Sequence, residues 1–339
     1  MPDQMRAITL ARRPNGDPVS EDFAFVEAAV PVPEEGEIVV ACSHLSLDPY
    51  MRGRMDDVKS YAPSVEIGGI MTGQGVGRVI ASRAEGFSEG DLVTGMTGWA
   101  SHARLPGKEA RALDDRLPPS TALGVLGMPG FTAWVGLQEF AAMQAGETLA
   151  VAAATGPVGS MVGQLARAAG LRSIGIAGGA EKTRLLTETF GFDAALDHRS
   201  FDDARGLRAA LADAAPDGID IYWENVGGTV LEATLPLMNT HGRIVVCGTI
   251  AWYGGVDLSG PDKLPGLWRA VLVKRLSING MIVFDHWHRF REFTETIGPK
   301  VAAGEIAYLE DIAHGLDAMP EAFIGMLKGA NTGKQIVAL

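Results

Sequence analysis

Little in this chain is suited to crosslinking: of 339 residues only Cys42 and Cys247 are cysteines. They stand far apart without metal-type spacing, which excludes a disulfide framework and points to a reducing compartment. Positive charge is also scarce, with 29 Lys and Arg against 41 Asp and Glu, a formal net charge of −12. Such a chain has no electrostatic reason to seek nucleic acid or an anionic membrane. Any anionic ligand must be held by a local cluster working against the global field. No run approaches the roughly 18 apolar residues of a membrane span. The opening stretch lacks the continuous apolar segment of a signal peptide, so the expected location is the cytoplasm.

Glycine, in contrast, is abundant. The 43 glycines are nearly twice the usual share of roughly 7%. They show no period of three, so they read as tight turns and close backbone approaches. With 47% hydrophobic and 21% charged residues the chain is an ordinary globular one, and its length predicts two domains.

Residues 1–125 read as short β segments between Gly/Pro turns. Strand candidates are 5–11, 37–43, 75–80 and 92–95, the second rich in β-branched residues. The rhythm changes after Pro129. Apolar runs at 149–154, 173–177, 194–196, 219–223, 243–248 and 276–284 predict strands, and helical patterns at 162–169, 181–190 and 230–238 alternate with them, with one more helix between 196 and 219. That alternation means a parallel sheet with helices on both faces, hence an α/β fold. Residues 306–309, a helix at 319–327 and 334–339 return to a mixed character, and this tail is expected to fold back onto the first domain. The predicted domains are 1–127 with 299–339, and 128–298.

The strongest local signal is Ala154-Thr155-Gly156-Pro157-Val158-Gly159. It is the dinucleotide-binding fingerprint with Ala154 in the first glycine place. Gly156 lets the backbone approach a pyrophosphate, and Gly159 lets the helix pack close to the strand. The helix N-terminus offers N–H groups and a positive dipole end. A bare glycine motif is weak, but this one follows an apolar strand and opens an amphipathic helix, which is the confirming context. A tight strand–helix turn without ligand is the lesser alternative.

An NAD enzyme would place Asp or Glu at the tip of the next strand, about 20 residues on. Here that tip reads Ala177-Gly178-Gly179-Ala180-Glu181-Lys182. Glu181 falls inside the helix start, where it suits the dipole. Lys182 and the pair His198–Arg199 supply positive charge instead. Lys182 alone would read as solvated surface, but with the acid missing, NADPH is the expected cofactor.

At this point the residues resemble a family. Leu47-Asp48-Pro49-Tyr50-Met51-Arg52-Gly53-Arg54-Met55 looks like a signature of zinc-independent medium-chain dehydrogenases/reductases, the group of leukotriene B4 dehydrogenase, prostaglandin reductase and curcumin reductase. Glu224-Asn225-Val226-Gly227-Gly228, the block from Cys247 to Tyr253 and the block from Met326 to Lys334 are similar to that group's other blocks, in the same order. The resemblance implies a GroES-like, mostly β substrate domain and a Rossmann-like, doubly wound cofactor domain. It also implies a homodimer joined through the last strand of the cofactor sheet, around 277–284. The wider superfamily includes zinc enzymes, whose catalytic metal needs three protein ligands. The matching places here are Ser46 and Gly73, and the cysteine-rich structural loop is absent. Asp285-His286-Trp287-His288 lacks a third distant ligand and reads as a helix-entry turn. No metal is expected.

Without a Lewis acid, reduction of an isolated ketone lacks its catalyst. A conjugated C=C–C=O needs less help: hydride adds at the β-carbon, charge collects on an enolate oxygen, and the site supplies hydrogen-bond donors and then a proton. This agrees with the activity implied by the resemblance, reduction of α,β-unsaturated ketones or aldehydes. Tyr253, close behind a strand end, is the candidate donor, with a packing role as the alternative; Tyr50 is the second candidate. The resemblance further assigns Asn225, Cys247 and Asn331 to the cofactor, with simple turns as the alternative for both asparagines. Arg52 is expected to brace its turn, and Gln164 to lie on a helix surface or join the domains. Trp252, Trp268 and the Gly/Pro-rich stretch 254–265 between them suit a bulky or aromatic substrate, with packing beneath the loop as the equal alternative. Quinone reduction, or NADPH binding without catalysis, are the competing functions.

Overall fold

The first ladder follows from alternation. In the computed structural model, which describes residues 4–255 and 263–339, β1 (Gln4–Leu10) pairs antiparallel with β2 (Phe23–Ala29). β3 (Glu37–Ser46) turns Ile38 and Val40 into one apolar cluster and Leu45 into another. A short helix, α1 (Tyr50–Arg54), follows, then β4 (Gly75–Ser82), β5 (Leu92–Gly95), β6 (His102–Pro106) and β7 (Arg111–Ala112). Arg52 is buried, donates to the Gly16 carbonyl at 2.7 Å and pairs with Asp56 at 2.7 Å, so it braces the signature turn.

The second compact unit, Val125–Leu309, alternates as expected. It runs α2 (Met128–Gly136), β8 (Thr148–Ala152), α3 (Pro157–Ala168), β9 (Arg172–Ala177), α4 (Ala180–Glu188), β10 (Ala194–Asp197), α5 (Ala204–Ala214) and β11 (Ile219–Glu224). Then come α6 (Gly228–Thr234), β12 (Met238–Val246), α7 (Leu264–Lys274), β13 (Ser277–Gly280) and α8 (Phe290–Ala302). The six strands are all parallel in the order β10-β9-β8-β11-β12-β13. Leu149 and Val151 face a core with α2, α3 and α8, whereas Ala150 and Ala152 face the core under α5 and α6. Burial on both faces is why these strands read as unbroken apolar runs. This is the doubly wound, Rossmann-like arrangement, with its switch point between β8 and β11.

The chain then completes the first unit with β14 (Glu310–His314), α9 (Met319–Leu327) and β15 (Lys334–Ala338). β15 pairs with β3, placing Ile336 opposite Ser46, and the resulting seven-stranded sheet makes this unit mostly β. The units divide after Gly124 and before Glu310. Residues 299–309 therefore belong with the cofactor-type unit, because Val301 and Ile306 join the core of α2 and α3. Among the described residues no helix is long and apolar enough to cross a membrane.

Two expected elements are shorter than their patterns. The apolar run 276–284 gives strand only to Gly280, which lies opposite Val246, the last residue of β12. Beyond it no ladder partner continues, and Val283–Arg289 forms a 3-10 turn that enters α8. The run 230–238 is α-helical only to Thr234 and ends in a 3-10 turn, Leu235–Leu237, since Pro236 cannot extend the α-helical ladder and Met238 already belongs to β12.

The strand β8 also ends early, at Ala152, and for a reason that sets up the site. Ala153 takes φ +50°, a left-handed conformation, and its carbonyl accepts the Gly156 N–H at 3.1 Å. The helix α3 then starts directly over this carbonyl. A Cβ on Gly159 would stand 2.6 Å from the Ala153 oxygen and 2.7 Å from Ala154 Cα; one on Gly156 would meet only the Ala153 oxygen, at 3.3 Å. Gly159→Ala is therefore expected to destabilise the protein by about 1–3 kcal/mol, the cost of overpacking against backbone. Gly156→Ala should stay within about 0.5 kcal/mol. Urea unfolding midpoints measure both, and equal effects of the two substitutions contradict the close approach at Gly159.

Candidate active site

In a parallel sheet every strand ends at the same edge, so residues that follow strand ends are gathered there. Thr155, Gly156, Pro157, Val158 and Gly159 follow β8; Gly178 follows β9; His198 follows β10; Asn225 follows β11; Cys247 follows β12. The Gly156 N-cap of α3 carries no side chain to satisfy the first N–H groups of that helix, and Pro157 at its first position has none to satisfy. The Thr155 residue is buried at the turn. A phosphate-bearing group fits this cradle, which a side chain at Gly156 would narrow.

The tip of β9 is a crowded cationic corner. A Cβ on Gly178 would lie 2.6 Å from Arg199 Nε and 3.0 Å from His198 Nε2, so both side chains pack directly over this glycine. His198 has its pKa lowered, first by burial and then by Arg199, with Lys182 contributing. Its imidazole is thus neutral at neutral pH. Of the expected cations, Lys182 and Arg199 bring charge and His198 brings a hydrogen-bonding ring. Glu181 is exposed in the first turn of α4.

A carboxylate that the motif reading did not single out sits one strand away. Asp197 ends β10 beside Ala177, and its Oδ1 accepts the Gly179 N–H at 2.8 Å and the Arg199 N–H at 2.9 Å. Burial raises its pKa, but these two bonds, together with a Ser200 side-chain hydrogen bond and the His198 charge, lower it overall. Its place before a 3-10 turn was the available signal, since Asp commonly caps such turns.

On the other side of the switch point, Asn225 is anchored by its side chain. Nδ2 donates to the Ala152 carbonyl at 2.7 Å, and Oδ1 accepts the Trp223 Nε1–H at 3.1 Å. One amide hydrogen and one lone pair remain by valence. Cys247 donates its N–H to the Glu224 carbonyl at 2.9 Å, and burial pushes its thiol up to about 12, so it stays un-ionised. Tyr253 follows a 3-10 turn, Ile250–Trp252; its hydroxyl stands over Gly248, where an added Cβ would be 3.4 Å from it and 3.3 Å from the Asn225 carbonyl. The second unit therefore brings Asn225, Cys247 and Tyr253 to one edge with the glycine turn. Residues 256–262 of the expected loop lie outside the described residues.

Three residues stand elsewhere. Tyr50 opens α1 in the first unit, half-buried; burial, followed by the nearby Asp48 charge, raises its pKa, so the phenol keeps its proton. Asn331, also in the first unit, donates to the Gly333 carbonyl at 2.8 Å across a turn and lines a cavity of about 360 Å³ with Asp311, Glu321 and Gln335. Gln164 exchanges hydrogen bonds of 2.9 and 2.8 Å with Ala307, a residue of its own unit, and so joins α3 to the segment after α8. Among the described residues no group of three His, Cys, Asp or Glu side chains could hold a metal ion.

Comparison with known proteins gives two family models: an N-terminal domain of oxidoreductase over residues 6–113 and a zinc-binding dehydrogenase model over 157–298. The chain is 49% identical to the NADPH-dependent curcumin reductase of Escherichia coli (strain K12), over 98% of this chain and 96% of that one. It is 40% identical to a 2-alkenal reductase (NADP(+)-dependent) of Nicotiana tabacum, over 98% and 96%. The crystal structure of CurA in complex with NADPH from Vibrio vulnificus superposes with a TM-score of 0.93 at 46% identity, covering 98% of both chains. The likeness is end to end, and the chain belongs to the zinc-independent medium-chain dehydrogenases/reductases, in the group of curcumin, prostaglandin and 2-alkenal reductases.

Proposed function

We propose that the protein is an NADPH-dependent ene-reductase that adds hydride to the β-carbon of α,β-unsaturated ketones or aldehydes. The carrying observation is the edge just described: a glycine turn shaped for a pyrophosphate, a strand tip with cations and no free acid, and a tyrosine hydroxyl beside the Asn225 turn. The relatives named for curcumin and 2-alkenal reduction support the same reading. When bound, the cofactor supplies the hydride. Gly156, Val158 and Gly159 hold its pyrophosphate through backbone, and Lys182 and Arg199, with His198, hold the 2′-phosphate over Gly178. Asn225 and Cys247 line the nicotinamide end, and Asn331 is assigned to the cofactor by the family resemblance alone. Tyr253 donates a hydrogen bond to the forming enolate oxygen and relays a proton; Tyr50, whose phenol stays protonated, is the second donor. Trp252, 39% exposed, gives an apolar wall suited to a bulky or aromatic enone.

The protein is further proposed to act as a homodimer. Along α7, Leu264, Trp268 and Leu272 are exposed at four-residue spacing, so they share one face. The edge strand β13 beside it exposes Ile278. An unpaired edge with apolar neighbours needs cover, and a second copy provides it through the same patch. Free Cys42 and Cys247, both with burial pushing their pKa up to about 12, agree with the reducing cytoplasm as the compartment.

The reaction is tested with deuterated NADPH and an enone: label is expected on the β-carbon with the carbonyl intact, and label on the carbonyl carbon, giving an allylic alcohol, refutes the assignment. Reduction of a menadione-type quinone but of no enone favours the competing activity. Tyr253→Phe should slow turnover by about 10–10³-fold with cofactor binding nearly unchanged; an unimpaired variant passes the donor role to Tyr50. Lys182→Ala should raise the Michaelis constant for NADPH about tenfold and that for NADH little, as a charge-assisted phosphate contact requires; equal effects on both cofactors remove Lys182 from the phosphate. Leu272→Glu should convert the dimer to monomers in light scattering after size exclusion, and a wild-type monomer at micromolar concentration defeats the dimer reading.

A further inference from the structure

We propose that Glu224 is a positioning residue that sets Asn225 and Tyr253 in register for catalysis: its buried carboxylate fixes the turn after β11, and the main-chain carbonyl held in place beside it receives the turn after β12. The residue is 2% exposed and ends β11 at the switch-point edge. Its Oε1 accepts the Val226 N–H at 2.6 Å and the Gly227 N–H at 2.8 Å, and its Oε2 accepts the Tyr222 hydroxyl at 3.1 Å. Its main-chain oxygen accepts two more N–H groups, Cys247 at 2.9 Å and Gly248 at 3.1 Å. The pairing continues outward: Asn225 accepts the Ile250 N–H at 3.2 Å, and Val226 accepts the Ala251 N–H at 3.0 Å.

The turn that carries Asn225 and the turn that leads to Tyr253 are thereby laid side by side. Trp252 closes over Gly227, where an added Cβ would meet the indole at 2.9 Å. Burying a carboxylate is costly unless its lone pairs are taken up. Here they are taken up by backbone N–H groups of the turn itself, so the charge and the turn conformation stabilise each other. Burial raises the pKa of Glu224, while the Val226 and Gly227 N–H groups pull it down. An apolar residue would fill the same space at lower cost, but it would release both N–H groups and the turn with them.

This inference rests on the proposed reduction, with Tyr253 and Asn225 at its reacting end, and the experiment separates the two. Wild type, Glu224→Ala, Glu224→Asp and Glu224→Gln are compared for NADPH-dependent enone reduction and for binding of adenosine 2′,5′-bisphosphate, a probe of the Gly178 corner alone. Glu224→Ala is expected to lower kcat by about 10–100-fold, the usual result of an ångström-scale misplacement, with bisphosphate affinity unchanged within about twofold. Glu224→Gln keeps an acceptor for both N–H groups and should recover kcat to within about fivefold of wild type. If the alanine variant does not fold, Glu224→Asp, whose shorter reach breaks the same bonds, is expected to show the same loss. A kcat within twofold of wild type in the alanine or aspartate variant overturns the role. So does parallel loss of bisphosphate binding, or a glutamine variant as impaired as alanine. A wild-type protein that reduces no enone overturns the functional reading and this inference with it, whereas an active wild type with an undisturbed alanine variant removes only Glu224.

Discussion

Everything at the cofactor edge depends on how closely α3 can approach the end of β8. The Ala153 carbonyl lies under the first turn of the helix, and only a hydrogen at Gly159 leaves space for it. Because β8 stands at the centre of the sheet, between β9 and β11, that approach places the helix N-terminus at the switch point and not at a sheet margin. The backbone there is held by its own hydrogen bonds, Gly156 N–H to Ala153 and Ala154 N–H to the Ile176 carbonyl at 3.0 Å. The dipole of the helix and the uncapped N–H groups then act on the same point. Asn225 links the same strand end to β11 through the Ala152 carbonyl, so the glycine turn and the Asn225 turn share one anchor.

The first unit has a different kind of anchor, an ion pair in place of a close approach. Lys334, at the start of β15, donates from Nζ to Asp48 Oδ1 at 2.6 Å and to the Leu47 carbonyl at 2.6 Å. Asp48 also accepts the Ser46 hydroxyl, and none of the three residues is more than 4% exposed. Burial lowers the pKa of Lys334 while Asp48 raises it. Removing one member of such a pair costs roughly 3–5 kcal/mol, because the other is left charged and buried. The pair fastens the C-terminal tail to the residues just before Tyr50. The returning tail is thus part of the signature loop's support, which a linear reading of the two blocks does not show.

What could be read from the residues alone divides along physical lines. Buried parallel strands announce themselves as apolar runs, so the parallel sheet with helices on both faces was legible. The glycine turn was legible because its chemistry is local. Strand lengths were less so: 276–284 is apolar throughout, yet β13 stops where β12 does, and a partner's length is invisible in a single segment. Long-range polar pairs were invisible for the same reason. Nothing in Lys334 or Asp48 names the other, 286 residues away. His198 illustrates a subtler limit. Burial first, and then its neighbours Arg199 and Lys182, lower its pKa, so its residue type alone overstates its charge.

The cationic corner also resolves how an acidic chain selects a more highly charged cofactor. A net charge of −12 opposes a phosphate at long range, but such fields are screened within about 8–10 Å at physiological salt. Selection therefore falls to groups in contact range. On the proposed reading Arg199 and Lys182 supply attraction, and the carboxylate of Asp197 has an oxygen committed to the Gly179 and Arg199 N–H groups. Those bonds delocalise part of its charge into the turn and tie the backbone of Gly179 to that of Arg199. A carboxylate at the tip of β9 would face the ribose; on β10 the same group is spent on the backbone of the corner. Moving one acid by one strand thus turns a group that would oppose a 2′-phosphate into part of the frame of the corner.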